Sequence, residues 1–470
     1  MNLCSLVAGQ PVTGAGSLAV RNPYNGAPVG SVAVASRADV QAAVAAARGF
    51  RDTPSRHTRS RILGTAAEAL EQAREDFARL ITQEAGLALR ETRYEVGRTL
   101  DVLRFAALEA LRDDGQVFAC DVSPLGKARK IFTTREPLRC VAAITPFNHP
   151  LNQVAHKVAP AIAAGTPLLL KPSEKTPLVA LKFAGLLSAA GLPGPMLSVL
   201  LGPTAEVAET LVTHPDIEAL AFTGSVAVGK RIAATAGYKR LVLELGGNDP
   251  LIVLDDAELE LAVTLAAEGS YRNSGQRCTA VKRILVQDGI APEFTRRLVQ
   301  RTREYVCGDP MDEATRVGTV IDEASALQLE QVVQEAVAAG AKVLTGGRRH
   351  GALLEPTVMG DVPRDCRMVV SESFGPLAPI LTVRDLDDAI ALANGTPYGL
   401  SSGVVTTNLS HALKAVRALR CGTVNINEVP GFRVENSPFG GIQDSGLGIK
   451  EGVIEAVKAY SYVKTFSLPW

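Results

Sequence analysis

The run Asn273-Ser-Gly-Gln-Arg-Cys-Thr-Ala280 sets one cysteine in a polar, glycine-containing loop. Read as the start of a helix, the loop would surround Cys278 with free backbone N–H groups, whose field favours a thiolate. Arg277 adds positive charge beside it. Such a thiolate is a nucleophile for a carbonyl carbon, and the plain alternative is a buried, inert cysteine. Glu244 is the second unusual residue, a carboxylate that closes the apolar run Leu241–Leu245 just before Gly246-Gly247-Asn248. Burial there raises a carboxyl's pKa towards neutrality and suits it to general-base work. A salt-bridged glutamate is the alternative.

Two further stretches read as ligand turns. Phe222-Thr-Gly-Ser-Val-Ala-Val-Gly-Lys230 has the pattern strand, glycine turn, helix start. That is a cradle for the diphosphate of a dinucleotide, marked by Gly224, Ser225 and Gly229. It is not the G-x-G-x-x-G fingerprint, and alone it is a weak signal. Leu170-Lys-Pro-Ser-Glu174 places a lysine and an acid at a strand's carboxyl end. Open α/β sheets bind ligands there, and an acid suits ribose hydroxyls. A solvated turn is the alternative.

These loops need a frame. With 470 residues the chain exceeds one ordinary core, which implies two or three domains. Helical periodicity runs through Ser36–Phe50, with Ser36 as N-cap, then Thr58–Leu80 and Glu84–Arg112, ending at Asp113-Asp114-Gly115. From Cys140 short apolar strands alternate with Ala-rich helices: Cys140–Thr145, Pro167–Leu170, Leu197–Leu201, Ala219–Phe222, Leu241–Leu245 and Leu251–Leu254. Continuous apolar strands of this kind make a parallel sheet covered on both faces. A second α/β series follows residues 247–256, with strands at Arg283–Gln287, Lys342–Thr345, Ala378–Val383, Ser402–Thr406 and Thr423–Ile426. Phe118–Glu136 and Tyr460–Phe466 are extended and out of phase, as an exposed flap awaiting a partner subunit would be.

Several classes are excluded. Forty-nine basic and 49 acidic side chains leave no basic surplus for nucleic acid or an anionic membrane. The longest apolar stretch, Val158–Leu170, is broken by Pro160, Gly165 and Pro167, so no spanning helix is expected. The N-terminus lacks a secretory pattern. Seven scattered cysteines without C-x-x-C pairs argue against disulfides or a metal site and for a reducing cytoplasm.

Taken together, Pro146-Phe-Asn148, Lys171-Pro-Ser-Glu174, Gly224…Gly229, Glu244-Leu-Gly-Gly247, Gly275-Gln-Arg-Cys278, Glu372-Ser-Phe-Gly-Pro376 and Ser437-Pro-Phe-Gly-Gly441 resemble the aldehyde dehydrogenase superfamily over essentially the whole chain. The resemblance implies an α/β fold with a Rossmann-like NAD-binding domain (1–117 and 137–247), an α/β catalytic domain (248–450) and a small β oligomerisation arm (118–136 and 451–470). It implies Cys278 as nucleophile, Glu244 as general base, and Asn148 with the Cys278 N–H as oxyanion hole. Lys171 and Glu174, flanking Ser173, would hold the adenine ribose, Ser225 the diphosphate and Glu372 the nicotinamide ribose. Phe374 would lie by the nicotinamide, with Thr145, Phe147 and Leu245 also against the cofactor. Val226 stands where many members carry Thr, and Ser373 where Ile or Leu is usual. Glu174 repels a 2′-phosphate and favours NAD, while neighbouring Lys175 leaves NADP tolerated. A homodimer or homotetramer is implied. A CoA-acylating relative would not need Glu244, and a non-enzymatic role would not need Cys278.

The substrate pocket departs from general members of the superfamily, which line it with aromatics. Here His149 follows the oxyanion asparagine, Arg433 falls where an aromatic is frequent, and Arg277 and Thr279 flank the nucleophile. Arg98 lies on the helix expected to wall the tunnel, and His156 is uncommon at its position. Converging arginines need an anion, and guanidinium forks match phosphonate, phosphate or carboxylate. A small anionic aldehyde is therefore expected, with a doubly charged tail. The stretches 145–157 and 273–280 look most like those of enzymes for phosphonoacetaldehyde. Succinic semialdehyde is the alternative, ahead of lactaldehyde and sulfoacetaldehyde.

Overall fold

Ser36 opens helix α1 (Arg37–Gly49) with a capping box: its side chain accepts from the Asp39 N–H, and the Asp39 carboxylate accepts from the Ser36 N–H at 2.8 Å. The computed structural model describes residues 1–470 apart from 13, 15 and 450. The helix expected over Thr58–Leu80 is in fact two, α2 (Arg56–Gln72) and α3 (Arg74–Ala85). The chain bends at Ala73, so that Ile62, Leu63 and Leu70 on one helix and Phe77 and Ile81 on the next all reach the same core. Gly86, in the left-handed region at φ 70°, ends α3. Helix α4 (Leu89–Leu111) then runs unbroken.

Two glutamates from this helical layer end inside the protein. Helices α5 (Asn152–Ala164) and α6 (Pro177–Ala189) both begin without a side-chain cap of their own. Glu95 of α4 accepts from the N–H groups of Leu151 (2.8 Å) and Asn152 (3.0 Å) at the start of α5. Glu84 of α3 does the same for Leu178 and Val179 at α6. Each carboxylate satisfies orphan donors that the local sequence leaves open. Burial pushes the Glu84 carboxyl up to about 8.

The first sheet holds β1 (Leu6–Val7), β2 (Gln10–Pro11), β3 (Val141–Ile144), β4 (Leu168–Lys171), β5 (Leu197–Val199), β6 (Ala219–Thr223) and β7 (Arg240–Glu244), in the order β7-β6-β3-β4-β5-β1-β2. Its five central strands are parallel, as the apolar runs require, and an N-terminal hairpin adds an antiparallel edge. Phe222 pairs with Ile144, Ile144 with Lys171, and Thr223 with Glu244, so the carboxyl ends of four strands share one rim. Helices α7 (Ala208–Thr213) and α8 (Val226–Thr235) sit beside that rim.

The second sheet contains β8 (Pro250–Val253), β9 (Arg283–Gln287), β10 (Lys342–Thr345), β11 (Thr357–Gly360), β12 (Leu377–Val383), β13 (Ser401–Val405) and β14 (Thr423–Ile426), in the order β10-β11-β12-β9-β8-β13-β14. Only the β10–β11 pair is antiparallel. Strand β11 has no counterpart in the sequence reading: its Thr357-Val-Met-Gly360 lies between Pro356 and Asp361-Val-Pro363 and lacks a continuous apolar run. Helix α9 (Leu259–Tyr271) covers this sheet and leads into the 273–280 loop.

The flap is a three-stranded antiparallel sheet of Val117–Ala119, Arg129–Pro137 and Ser461–Pro469. Residues 453–459 form a helix whose Val453, Ala456 and Ala459 pack into the core around α4 and α5, so that stretch belongs to the body. Among the described residues no helix is long and apolar enough to cross a membrane, and no cluster is set up for a metal ion.

Candidate active site

Glu244 ends β7, is nearly fully buried, and forms an isolated bridge with Gly446. The Leu245 N–H donates to the Ser445 carbonyl, which ties the 437–446 turn against this strand end. A Cβ at Gly440 would press on the Glu244 carboxylate, so glycine there permits the close approach.

Cys278 arrives from the other sheet. The sequence reading put it at a helix N-terminus; instead it lies in a turn between α9 and β9, with no helix dipole on it. The loop reaches that turn through three consecutive left-handed residues, Asn273 (φ 58°), Ser274 (φ 53°) and Gly275 (φ 69°). Two of these are not glycine, a strained arrangement of the sort found at functional sites. A Cβ at Gly275 would run into the Gly375 carbonyl. The Asn148 Nδ2–H donates to the Gln276 carbonyl at 2.8 Å, and the Asn273 Nδ2–H donates to the Asn148 carbonyl at 2.8 Å. Asn148 is thereby fixed next to the cysteine turn and keeps a second N–H. Burial pushes the Cys278 thiol up to about 11, against opposing pulls from Lys282 and Arg433.

Lys282 escaped the sequence reading. It is buried, and its Nζ donates to the carbonyls of Gly247 (2.8 Å) and Cys278 (3.1 Å) and to Glu372 Oε1 at 2.5 Å. A lysine four residues past the cysteine, beside Arg283 at the head of the β9 apolar run Ile284–Val286, was the available signal. Glu372 also accepts from the Gly247 N–H at 3.2 Å. Its carboxylate is thus partly engaged before any ribose is offered. Phe374 meets Phe147 edge-on, with ring centroids 6.1 Å apart.

Along the first sheet's rim lies a cavity of about 430 Å³, lined by Ile144, Lys171, Phe222, Val228, Arg231 and Ile232 among others. Lys171 Nζ donates to Glu174 Oε1 at 3.2 Å, and Ser173 accepts from the Lys175 N–H. Lys175 itself turns away to Asp322 at 2.9 Å, and Arg231 pairs with Glu209. Ser225 caps α8 beside Gly224. Gly229 sits a turn further on, where a Cβ would strike Leu245; its smallness serves helix packing rather than a phosphate turn. The Thr145 and Thr223 hydroxyls, at the strand ends, are buried without partners. A mostly apolar slot, a lysine–acid pair, a capped helix start and orphaned hydroxyls fit a dinucleotide.

The basic residues divide. Arg433 lies over the Phe439 ring at 3.9 Å, its Nη1 is buried without a hydrogen bond, and among the described residues no carboxylate lies within ion-pair distance of it. Burial lowers the Arg433 pKa, the nearby Glu435 carboxylate opposes that, and weaker through-space effects link it to Arg98, Cys278 and Glu244. Arg277 Nη2 donates to the carbonyls of Glu268 and Gly269, at 3.3 and 2.7 Å, while its Nε has no partner. Arg98 is not a free cation: its Nε and Nη2 meet Glu435 at 2.5 and 3.2 Å. His156 Nε2 lies 2.5 Å from the same carboxylate. His149 Nδ1 is 3.6 Å from Glu95, and burial lowers its pKa, with Arg98 and Arg277 adding to the effect. Thr279 lies against Gly431 of the neighbouring loop. Lys157 pairs with Glu451.

The sequence profile described as "Aldehyde dehydrogenase family" matches residues 12–466. A 3-sulfolactaldehyde dehydrogenase of Priestia aryabhattai is 40% identical over 96% of this chain and 95% of its own length. A lactaldehyde dehydrogenase of Methanococcus aeolicus is 36% identical over 95% of this chain and 96% of its own. The crystal structure of an NADP-dependent glyceraldehyde-3-phosphate dehydrogenase from Bacillus halodurans C-125, complexed with NADP, superposes with a TM-score of 0.97. Identity there is 34%, covering 100% of this chain and 99% of that one.

Proposed function

The chain belongs to the aldehyde dehydrogenase family, and on that premise we propose that it oxidises a small anionic aldehyde to its carboxylate, with NAD as hydride acceptor. The observation that carries the substrate class is Arg433, a half-buried arginine whose Nη1 is buried without a hydrogen bond and whose charge is felt at Cys278. It has no carboxylate in direct contact, Glu435 acting on it only through space. A cation in that state is costly unless an anion comes to it. Phosphonoacetaldehyde is our first choice of substrate, with succinic semialdehyde the alternative. The relatives named above, for a sulfonated aldehyde and for lactaldehyde, define the other two arms of the test.

In this reading Cys278 loses its proton to solvent, the thiolate Sγ adds to the aldehyde carbon, and the resulting alkoxide accepts from the free Asn148 N–H and the Cys278 N–H. The chemistry that the dinucleotide supplies when bound is hydride uptake, which oxidises the adduct to a thioester. Glu244 then takes a proton from water as the oxygen attacks the thioester carbon, and Sγ departs. Glu174 on the ribose side favours NAD, with Lys175 and Arg231 paired to Asp322 and Glu209, and NADP is tolerated. The flap supports a homo-oligomer: Val463, Phe466 and Leu468 are exposed along its C-terminal strand. Among the described residues no cysteine forms a disulfide, which suits a reducing cytoplasm.

The test is kcat/KM for phosphonoacetaldehyde, succinic semialdehyde, sulfoacetaldehyde, lactaldehyde and propanal with wild type and Arg433→Gln. An anion subsite predicts a loss of about tenfold or more on the anionic aldehydes, the scale of one charge-assisted contact, and a much smaller loss on propanal. Equal losses across the panel would remove the anion reading.

A further inference from the structure

Glu435 is an acid in what was expected to be a cluster of cations. It lies on the loop that carries Arg433, and its carboxylate is nearly fully buried. Arg98 reaches it from α4, and His156 reaches it from α5, both at 2.5 Å. Burial alone would raise the pKa of this carboxyl; the hydrogen bond from His156 and the Arg98 guanidinium instead hold it well below the usual carboxylate range.

The geometry of the Arg98 contact matters. Glu435 occupies Nε and Nη2, one edge of the guanidinium, which fixes its plane. Nη1 makes no hydrogen bond and is not sealed off from solvent. Arg98 is bonded to Glu435, two residues along the loop from Arg433, and its charge lowers the Arg433 pKa, so the open edge lies near the unbonded Arg433 Nη1. Two arginines so close repel one another, and a carboxylate beside them offsets that cost.

We propose that Glu435 is a positioning residue for substrate recognition: it holds Arg98, braced by His156, so that the free edge of Arg98 joins Arg433 in binding the anionic tail. The inference rests on the anion subsite of the preceding subsection. Glu435 acts through Arg98 and touches neither the reacting carbon nor the dinucleotide. Its loss therefore affects tail binding and spares the chemical steps.

The experiment compares wild type, Glu435→Gln, Glu435→Asp and Arg433→Gln on phosphonoacetaldehyde and propanal, with thermal midpoints measured alongside. The expected result for Glu435→Gln is a rise in KM for phosphonoacetaldehyde of about tenfold or more, with kcat within about threefold and propanal little changed. Glu435→Asp, which keeps the charge, should recover part of the loss. A fall in kcat on both aldehydes together with a lowered midpoint, not relieved by Asp, would make Glu435 merely structural and overturn the proposal. Unchanged KM in Glu435→Gln, while Arg433→Gln still discriminates, overturns it and leaves the anion subsite standing. If Arg433→Gln shows no discrimination, the subsite reading and this proposal fall together.

Discussion

Replacing Cys278 with alanine is expected to cut NADH formation by at least about 10⁴-fold, because no other group in the pocket can form the covalent adduct. Dinucleotide binding should survive, since the slot beside Lys171 is built from the first sheet. Appreciable residual turnover would sink the assignment. The thiol's environment adds a pH signature. Burial pushes it up to about 11, so the thiolate is a minor species near neutrality in the free protein and grows as pH rises. Alkylation of Cys278 by iodoacetamide, followed by peptide mass spectrometry, should therefore accelerate steadily from about pH 7 to about pH 10. A rate flat across that range would mean the thiol is already ionised, with Lys282 and Arg433 outweighing burial.

Glu244→Gln should separate the two halves of the reaction. Steady-state turnover is expected to fall by roughly 10²–10⁴-fold, the usual worth of a general base. The first turnover should persist, giving a burst of NADH close to one per site and then a slow phase. Hydroxylamine, a nucleophile that needs no base, should restore part of the lost turnover. A burst that shrinks in proportion to the steady-state rate would place Glu244 before thioester formation.

Much of this was legible in the residues themselves. Continuous apolar strands between Ala-rich helices specify parallel sheets, and both sheets have five or more parallel strands, although Leu251–Leu254, read with the first series, joins the second sheet as β8, and β11 was not read at all. Cys278 and Glu244 stood out because each breaks its local pattern. The turn around Cys278 was misjudged because Asn273 and Ser274 adopt left-handed backbone that only the surrounding packing enforces. Glu435 and Lys282 were missed for a different reason. The partner of Glu435 is 337 residues away, on α4, and no spacing along the chain announces such a pair. Nothing along the chain shows that Lys282 is buried against three oxygen acceptors. Local pattern identifies elements and reactive groups; which cations are compensated is decided only by tertiary contact.

Lys282 has a consequence for how the enzyme fails. Glu244 rides on the last parallel strand of one sheet and Cys278 on the loop entering the other. A single ammonium holds the cysteine turn, the Gly247 turn between the sheets and Glu372 together. Catalytic competence is therefore a property of the seam, which this one ammonium bridges by polar contacts. In rising urea, activity should vanish while the far-ultraviolet dichroism is still native, because the two halves can part before either one melts.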